Sequence, residues 1–291
     1  MNNHPPSPGG ILYIVATPIG NRGDITLRAL DVLKSVDMVA AEDTRHTAGL
    51  LAHYGIQAPL VSCHEHNEAE RADQLVRKLM AGKSVALVSN AGTPTVSDPG
   101  YRMVTRAVEQ GIPVVPIPGV SAAMTALSAS GLPSDTFSFI GFPPRKKGKR
   151  DSLLKELALR SETLIFYESP RRVLVLLDAI FEQMGDRQAV LGRELTKMHE
   201  EFLHGRISDI IARLKDRESI KGEVTLLVSG RNPDDDQTPE SLDSVIKDLI
   251  LKDDIPVSRL AGMLAKRYHL TKNEVYQKIL EIKLDMAEDE S

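Results

Sequence analysis

Two clusters of titratable side chains each follow an apolar run that contains β-branched residues. The cluster EDTRHT at 42–47 follows the run 37–41, and the cluster SCHEHNE at 62–68 follows the run 58–62. If both runs are parallel strands, the clusters lie at the same sheet edge, which is where open α/β sheets bind ligands. Carboxylates and imidazoles at that edge can act as general bases, bind substrate hydroxyls or pair with Arg45. The candidates for proton transfer are Glu42, Asp43 and His64.

The same clusters have other interpretations. A metal site is one of them, but the spacing differs from HExxH and no thiol pair is present, so we expect no metal. Another is that Asp43 and Glu68 only cap helices.

Two loops rich in glycine and proline also follow apolar runs. ATPIGNRGDITLRAL at 16–30 and LVSNAGTPTVSDPG at 87–100 each pass from a strand pattern through a loop into a helical pattern. Glycine lets the backbone approach a ligand closely, and proline stiffens the loop. The pair therefore predicts a cleft for a small molecule, although ordinary tight turns have the same composition.

Strand and helix patterns alternate along the first half of the chain, which predicts a parallel sheet covered by helices. We expect strands at 11–17, 37–41, 58–62, 84–89 and 112–117, and helices at 25–35, 67–81, 101–110 and 120–130. The next hundred residues indicate antiparallel or mixed pairing, with strands at 137–142, 162–168, 188–194, 199–204 and 222–229 and helices at 151–159, 170–184 and 206–215. The predicted class is α/β, with a disordered tail at 1–10 and two α/β domains, 11–130 and 131–230.

A polar linker at 231–240 leads to a small helical module at 241–291. Its helices are expected at 241–251, 256–267 and 271–283, and Thr271 with Glu274 forms a capping-box pattern. Short helices joined by short turns are typical of a helix-turn-helix. Between Pro256 and Lys283, six Lys or Arg and two Glu leave a net charge of +4. This charge favours nucleic-acid binding, while a bundle used for packing or dimerisation explains the pattern equally well.

A second basic segment, RKKGKR, contains Arg145, Lys146, Lys147, Lys149 and Arg150. Such a run attracts phosphates and makes binding sensitive to salt. A solvated loop is the alternative, but the basic C-terminal module favours nucleic acid.

The composition sets limits on these interpretations. The 291 residues are 42% hydrophobic and 26% charged, as in globular proteins. The net charge of −4 does not by itself indicate a nucleic-acid-binding protein, so any such surface must be local. The single cysteine, Cys63, excludes an internal disulfide and is expected to be a buried bystander in a reducing compartment. No signal peptide or membrane-spanning run is present, so we expect a cytoplasmic protein without membrane partners.

The motifs LYIVATPIGN, AAEDTRHT, HEHNE, LVSNAGTPTVSDPGY, PGVSAA, GLPSD and GEVTLLV together resemble the tetrapyrrole methylase superfamily over roughly residues 11–230. They are most similar to its branch that methylates ribosomal RNA, the cytidine 2′-O-methyltransferases of the small ribosomal subunit. The resemblance implies two α/β domains with S-adenosylmethionine in the cleft between them, and a homodimer. The implied substrate is small-subunit ribosomal RNA or the assembled small subunit.

The resemblance also implies positions for the cofactor, and the cations of the chain are candidates to hold RNA phosphates. The cofactor positions are Pro18, Ala91, Gly92, Thr93, Pro94, Val96, Ser121, Ala122, Glu168 and Leu195. RNA phosphates are expected at Arg45, at the basic run from Arg145 to Arg150 and at Lys272. The branch usually has an acid where this chain has Asn90, which keeps a hydrogen bond but loses the charge.

Two rival functions remain open. A small-molecule methyltransferase acting on a tetrapyrrole would have no need of the two basic segments. A non-catalytic regulator with a helix-turn-helix would have no need of a two-domain cleft, and it would not bind S-adenosylmethionine.

Overall fold

The computed structural model describes residues 10–231, 242–243, 246, 249–250, 256–267 and 270–289. The chain divides into two compact units, the first ending at Arg231 and the second beginning at Asn232. Residues 1–9 of the predicted tail, residues 232–240 of the predicted linker and most of the helix predicted at 241–251 lie outside the described residues. Gly10, placed in the predicted disordered tail, is described and buried, and its amide donates to Leu79 O at 2.8 Å.

The first sheet has five parallel strands in the order β3-β2-β4-β1-β5. The strands are β1 (Leu12–Val15), β2 (Met38–Ala41), β3 (Leu60–Ser62), β4 (Val85–Val88) and β5 (Val114–Ile117). Leu12 is in register with Val85 on one side and Val114 on the other. Because every strand runs the same way, the loops after β1, β2, β3 and β4 all leave from one edge, as the sequence predicted.

Helices cover both faces of this sheet. They are a 3-10 turn (Arg22–Asp24), α1 (Leu27–Ser35), α2 (Thr44–His53), α3 (Glu68–Met80), α4 (Tyr101–Glu109) and α5 (Ala122–Ser128). The four helices expected from periodicity are confirmed with shifted ends. Helix α2 was not predicted. Its buried face contains the polar Thr47 beside Leu50 and Leu51, so its apolar residues do not recur at the helical spacing that the prediction relied on.

The second sheet is mixed, as expected, in the order β6-β7-β10-β8-β9. Its strands are β6 (Phe137–Gly141), β7 (Thr163–Glu168), β8 (Gln188–Arg193), β9 (Glu201–Arg206) and β10 (Val224–Val228). Only β6 and β7 pair in parallel. Its helices are α6 (Lys147–Leu157), α7 (Val173–Met184) and α8 (Ile207–Lys215).

Helix α6 corrects one prediction. A helix was expected at 151–159 after a basic loop, but α6 begins at Lys147 and includes most of the basic run. Lysine and arginine are good helix formers, so Gly148 does not prevent the helix from starting early. The run therefore presents its charges from a regular backbone.

Helix α5 packs the two sheets together inside the first unit. Its buried residues Ala123 and Ala126 share an apolar cluster with Ile165, Val190 and Leu227 of the second sheet. The division into domains 11–130 and 131–230 stays a prediction, and each sheet lies on its own side of residue 130.

The second unit contains α9 (Val257–Arg267) and α10 (Lys272–Asp289). Leu260, Leu264, Val275 and Ile279 form part of its core. The capping box predicted at the start of α10 is confirmed, because the Thr271 amide donates to Glu274 Oε2 at 2.9 Å and the Glu274 amide donates to Thr271 Oγ1 at 3.3 Å. Within the described part of the chain, no helix is both long and apolar enough to cross a membrane.

Candidate functional site

The two Gly/Pro loops are joined to each other at the edge of the first sheet. The Thr17 amide donates to Gly92 O at 2.9 Å, and the Gly92 amide donates to Thr17 O at 3.0 Å. The Thr17 hydroxyl also donates to Ser89 O at 3.2 Å. These bonds make the loop after β1 and the loop after β4 one continuous wall.

A cavity of about 330 Å³ opens beside this wall and is closed on its other side by the second sheet. Seven of the ten predicted cofactor residues line it, namely Ala91, Gly92, Thr93, Val96, Ser121, Ala122 and Glu168. Pro18, Pro94 and Leu195 are buried and do not line it. Pro18 and Pro94 are chain neighbours of lining residues, and Leu195 packs in the apolar cluster that contains Ile19.

Side-chain and backbone bonds hold the cavity walls in place. The Thr93 hydroxyl donates to Val120 O at 3.1 Å, and the Ala123 amide donates to the Tyr167 hydroxyl oxygen at 3.1 Å. Gly92 has a φ of +79°, and a Cβ there would lie 3.5 Å from Ile19 Cγ2. The position therefore favours glycine for its backbone conformation.

Glu42 and Asp43 both contact Asn90 across the sheet edge. The Asn90 amide donates to Glu42 Oε2 at 3.2 Å, and the Asp43 amide donates to Asn90 Oδ1 at 3.2 Å. Asp43 is also the N-cap of α2, where its Oδ1 accepts the Arg45 amide at 2.8 Å. That backbone bond lowers the pKa of the Asp43 carboxyl from its ordinary value. The predicted capping role is therefore real for Asp43.

Glu68 caps a different helix from the one it begins. Its buried Oε1 accepts the Gly100 amide at 3.1 Å and the Arg102 amide at 2.7 Å, at the start of α4. Glu68 thereby fixes the end of the SDPG segment, residues 97–100, which forms part of the cavity wall.

His64 lies half-buried at the end of β3. Its main-chain amide donates to Asn67 Oδ1 at 2.8 Å. Its ring Nδ1 is buried, and no hydrogen-bond partner for it occurs among the described residues. A buried polar atom without a partner is unusual in a folded protein, which keeps His64 a candidate for a functional role.

Asp98 and Tyr167 line the cavity and were not predicted as site residues. The pKa of Asp98 is raised to about 6. Burial is the main cause and the Glu42 carboxylate adds to it, while a hydrogen bond with Ser89 acts in the opposite direction. Burial is also the main cause that raises the pKa of Tyr167. The one feature of the sequence that could have identified Asp98 as a site residue is its position in the second Gly/Pro loop, at 87–100.

The predicted RNA-binding residues differ in exposure. Arg45, Arg145, Lys146, Lys147 and Lys149 are exposed in the first unit, and Lys272 is exposed in the second. Arg150 is mostly buried, with 11% of its side chain exposed, and it pairs with Asp151 at 3.2 Å. Its charge is therefore less available to a phosphate than the charges beside it.

Cys63 is buried, and burial raises the pKa of its thiol to about 11. A thiol of this kind stays protonated at neutral pH and is a poor nucleophile. In the part of the chain that the structure describes, no group of three or more His, Cys, Asp or Glu side chains is placed to hold a metal ion.

The sequence profile of the Tetrapyrrole (Corrin/Porphyrin) Methylases matches residues 11–211. Ribosomal RNA small subunit methyltransferase I of Vibrio cholerae is 49% identical over 280 residues, which cover 95% of this chain and 96% of that protein. The Escherichia coli O157:H7 protein of the same name is 47% identical over 275 residues, or 94% of this chain and 95% of that protein. This chain belongs to the tetrapyrrole methylase family, in the branch of ribosomal RNA small subunit methyltransferase I.

Solved structures of tetrapyrrole methylases share the fold. Uroporphyrin-III C-methyl transferase from Thermus thermophilus, complexed with S-adenyl homocysteine, matches with a TM-score of 0.53 and 22% identity over 75% of this chain and 97% of that chain. Cobalt precorrin-4 methyltransferase matches with a TM-score of 0.55 and 18% identity over 75% of this chain and 94% of that chain. At these identities the likeness shows the tetrapyrrole methylase fold alone.

The resemblance led us to expect an acid at position 90, and the contact of the Asn90 side chain is one that an acid could also make. The side-chain oxygen of Asn90 only accepts a main-chain bond from Asp43, which a carboxylate oxygen would do equally well. An acid at this position would therefore make the same contact and add a negative charge.

Proposed function

We propose that this protein transfers the methyl group of S-adenosylmethionine to the 2′-hydroxyl of a cytidine in small-subunit ribosomal RNA. The observation that carries the proposal is identity of 49% to a ribosomal RNA small subunit methyltransferase I along nearly the whole of both chains. The cavity between the two sheets then provides a site for the cofactor, and the exposed cations provide one for the RNA.

The residues at the cavity fit S-adenosylmethionine. A volume of about 330 Å³ lies at the lower end of the range of about 300–1,000 Å³ usual for small-molecule sites. Gly92 lines the cavity with a φ of +79°, so its backbone conformation favours glycine and brings the main chain to the cavity surface. We propose that the seven lining residues predicted from the family hold the cofactor, with Pro18, Pro94 and Leu195 shaping the wall behind them.

S-adenosylmethionine supplies a methyl group that is already activated by the positive sulfur. Most of the catalysis then comes from aligning the hydroxyl with that methyl group in a site that excludes water. The apolar side chains of Ile19, Val96 and Phe142 line the cavity and give it an apolar surface. No metal is needed, because the departing sulfide carries no negative charge.

The hydroxyl is a poor nucleophile, so a base should assist as the bond forms. Glu42, Asp43 and His64 remain our proposed acid–base group at the sheet edge. Glu42→Gln and Asp43→Asn are expected to lower turnover while cofactor affinity stays the same. Full activity in both variants would remove the two carboxylates from the mechanism.

Exposed cations are proposed to hold the RNA phosphates. Arg45 lies at the start of α2, the basic run lies at the start of α6, and Lys272 begins α10. Guanidinium and ammonium groups attract phosphate without regard to base sequence. We further propose that the enzyme is a cytoplasmic homodimer, as the resemblance implies; sedimentation velocity of the purified protein tests its oligomeric state.

The decisive experiment uses radiolabelled S-adenosylmethionine and small ribosomal subunits from a strain lacking this gene. Free small-subunit RNA and a tetrapyrrole substrate serve as parallel acceptors. Digestion of the RNA to nucleosides should give label in 2′-O-methylcytidine. Label in the tetrapyrrole alone would overturn the proposal in favour of a small-molecule methyltransferase, and failure to bind the cofactor would exclude both methyltransferase functions.

A further inference from the structure

Phe142 is an aromatic residue that stays exposed at the cavity. It is 60% exposed, although its chain neighbours Gly141 and Pro143 are buried. Phe142 also lines the cavity, so its ring lies at the opening rather than deep inside. Because burial of an aromatic ring is favourable, a ring in this position gains free energy when a ligand covers it.

A β-bulge at the end of β6 places this ring. The register of β6 against β7 shifts between Phe139 and Gly141, and Gly141 has a φ of +69°. A Cβ at Gly141 would lie 2.9 Å from Ser97 Oγ, so β6 ends directly against the loop that forms the first-sheet wall of the cavity. Bulges beside functional sites commonly redirect a side chain, and here the redirected residue is Phe142.

Contacts on two sides hold the ring and the chain beside it. The Phe142 ring lies edge-on to the Tyr167 ring, and the two ring centroids are 5.6 Å apart. Arg172 Nη2 donates to Pro143 O at 3.2 Å, and the same guanidinium pairs with Glu168, which lines the cavity. The ring is therefore presented on a fixed backbone, as a group that must orient a substrate requires.

The exposed basic run begins three residues after Phe142. Arg145 is the first of its cations, and three residues of extended chain span at most about 11 Å. The ring thus lies between the cavity proposed for the cofactor and the cations proposed to hold RNA phosphates. A nucleotide that places its phosphate on the run and its ribose at the cavity brings its base to the same opening.

We propose that Phe142 stacks on the base of the nucleotide that is methylated. This inference rests on the proposed function and adds a residue that positions the substrate. Proteins that recognise RNA commonly stack unpaired bases on aromatic side chains. Because every base has a π face, the ring supplies affinity and orientation, whereas the choice of cytidine comes from other groups.

The test compares wild type with Phe142→Ala, Phe142→Leu, Phe142→Trp and Phe181→Ala. Leucine keeps an apolar side chain without a ring, and tryptophan keeps a ring that can stack. Phe181 is the matched control, because it lies on α7, is 44% exposed and does not line the cavity. Single-turnover rates are measured over a range of small-subunit concentrations. The Kd of S-adenosylmethionine, the melting temperature and the sedimentation coefficient are measured for each protein.

Phe142→Ala should raise the small-subunit concentration that gives the half-maximal rate by about 5- to 150-fold, as expected for the loss of one base–aromatic stack. Phe142→Leu should show most of this loss, and Phe142→Trp should stay close to wild type because indole also stacks. Cofactor Kd and sedimentation should be unchanged in all variants. Phe181→Ala should behave as wild type with small subunits.

Each contrary result has a separate meaning. A Phe142→Ala variant that labels small subunits as well as wild type does overturns this inference and leaves the proposed function standing. Weaker cofactor binding in that variant would assign the ring to the cofactor, and altered sedimentation would assign it to a contact between protomers; either result overturns the inference. Full affinity in Phe142→Leu would show that apolar contact suffices without stacking. A wild-type enzyme that binds the cofactor and labels no RNA overturns the proposed function together with this inference.

Discussion

Thr17 and Gly92 exchange two main-chain hydrogen bonds, 2.9 and 3.0 Å long, across the edge of the parallel sheet. Thr17 follows β1 and Gly92 follows β4, and the two strands are neighbours in the sheet. The bridge joins two loops that are far apart in the sequence into one wall of the cavity. Gly92 is thus both a structural link and a part of the surface that we propose binds the cofactor.

Gly92→Ala should weaken both stability and cofactor binding. The φ of +79° disfavours alanine by about 1–2 kcal/mol, and the new methyl group would lie 3.5 Å from the Ile19 side chain. Urea unfolding and calorimetry with S-adenosylmethionine measure the two effects. Gly49→Ala is the control, because Gly49 lies inside α2 with no atom near its missing Cβ. The control should gain up to about 1 kcal/mol of stability and bind normally. Equal behaviour of the two variants would contradict this prediction.

Glu42→Gln should shift the pH dependence of the reaction. The Glu42 charge helps to raise the pKa of Asp98, so its removal lets Asp98 ionise at a lower pH. The acidic limb of the pH–rate profile should move to lower pH, and the rate at neutral pH should fall because Glu42 belongs to our proposed acid–base group. Single-turnover rates measure both changes, with the exposed Glu109→Gln as control. If the acidic limb of the pH–rate profile stayed at the same pH, Glu42 would not influence the pKa of the group that titrates there.

Glu68→Ala should lower both turnover and stability, although Glu68 does not line the cavity. It leaves the amides of Gly100 and Arg102 without their acceptor, and a buried unpaired donor costs about 1–3 kcal/mol. The SDPG segment then loses its support, so turnover should fall together with the melting temperature. Glu70→Ala on the same helix removes only a surface contact to Gln74 and should change neither quantity. A normal melting temperature in Glu68→Ala would refute the supporting role.

Lys147→Gln and Arg150→Gln should differ although both remove one charge from the basic run. Lys147 is exposed, whereas Arg150 is paired with Asp151 at 3.2 Å. The slope of log Kd against log salt for a small-subunit RNA fragment should fall by roughly 0.7 for Lys147→Gln. Arg150→Gln should change the slope less and lower the melting temperature. Equal slopes in the two variants would show that the ion pair opens when RNA binds.

Much of the fold could be predicted from the sequence, because strand and helix periodicities are local properties. The alternation of apolar runs and amphipathic segments indicated the parallel sheet. The different strand pattern after residue 130 indicated the mixed sheet. Helix α2 was missed because Thr47 interrupts its apolar face. The start of α6 was misplaced because a basic run resembles a solvated loop.

The sequence by itself determined which loops form the cavity wall, since composition and strand-loop-helix order need no long-range information. Only the tertiary structure decided which side chains remain available there. Asp98, Glu168 and Glu223 are all acidic in the sequence, but packing gives Glu168 and Glu223 cationic partners and leaves Asp98 between Ser89, Glu42 and Tyr167. Burial and ion pairing depend on residues brought together by the two sheets, and neither is encoded in local spacing.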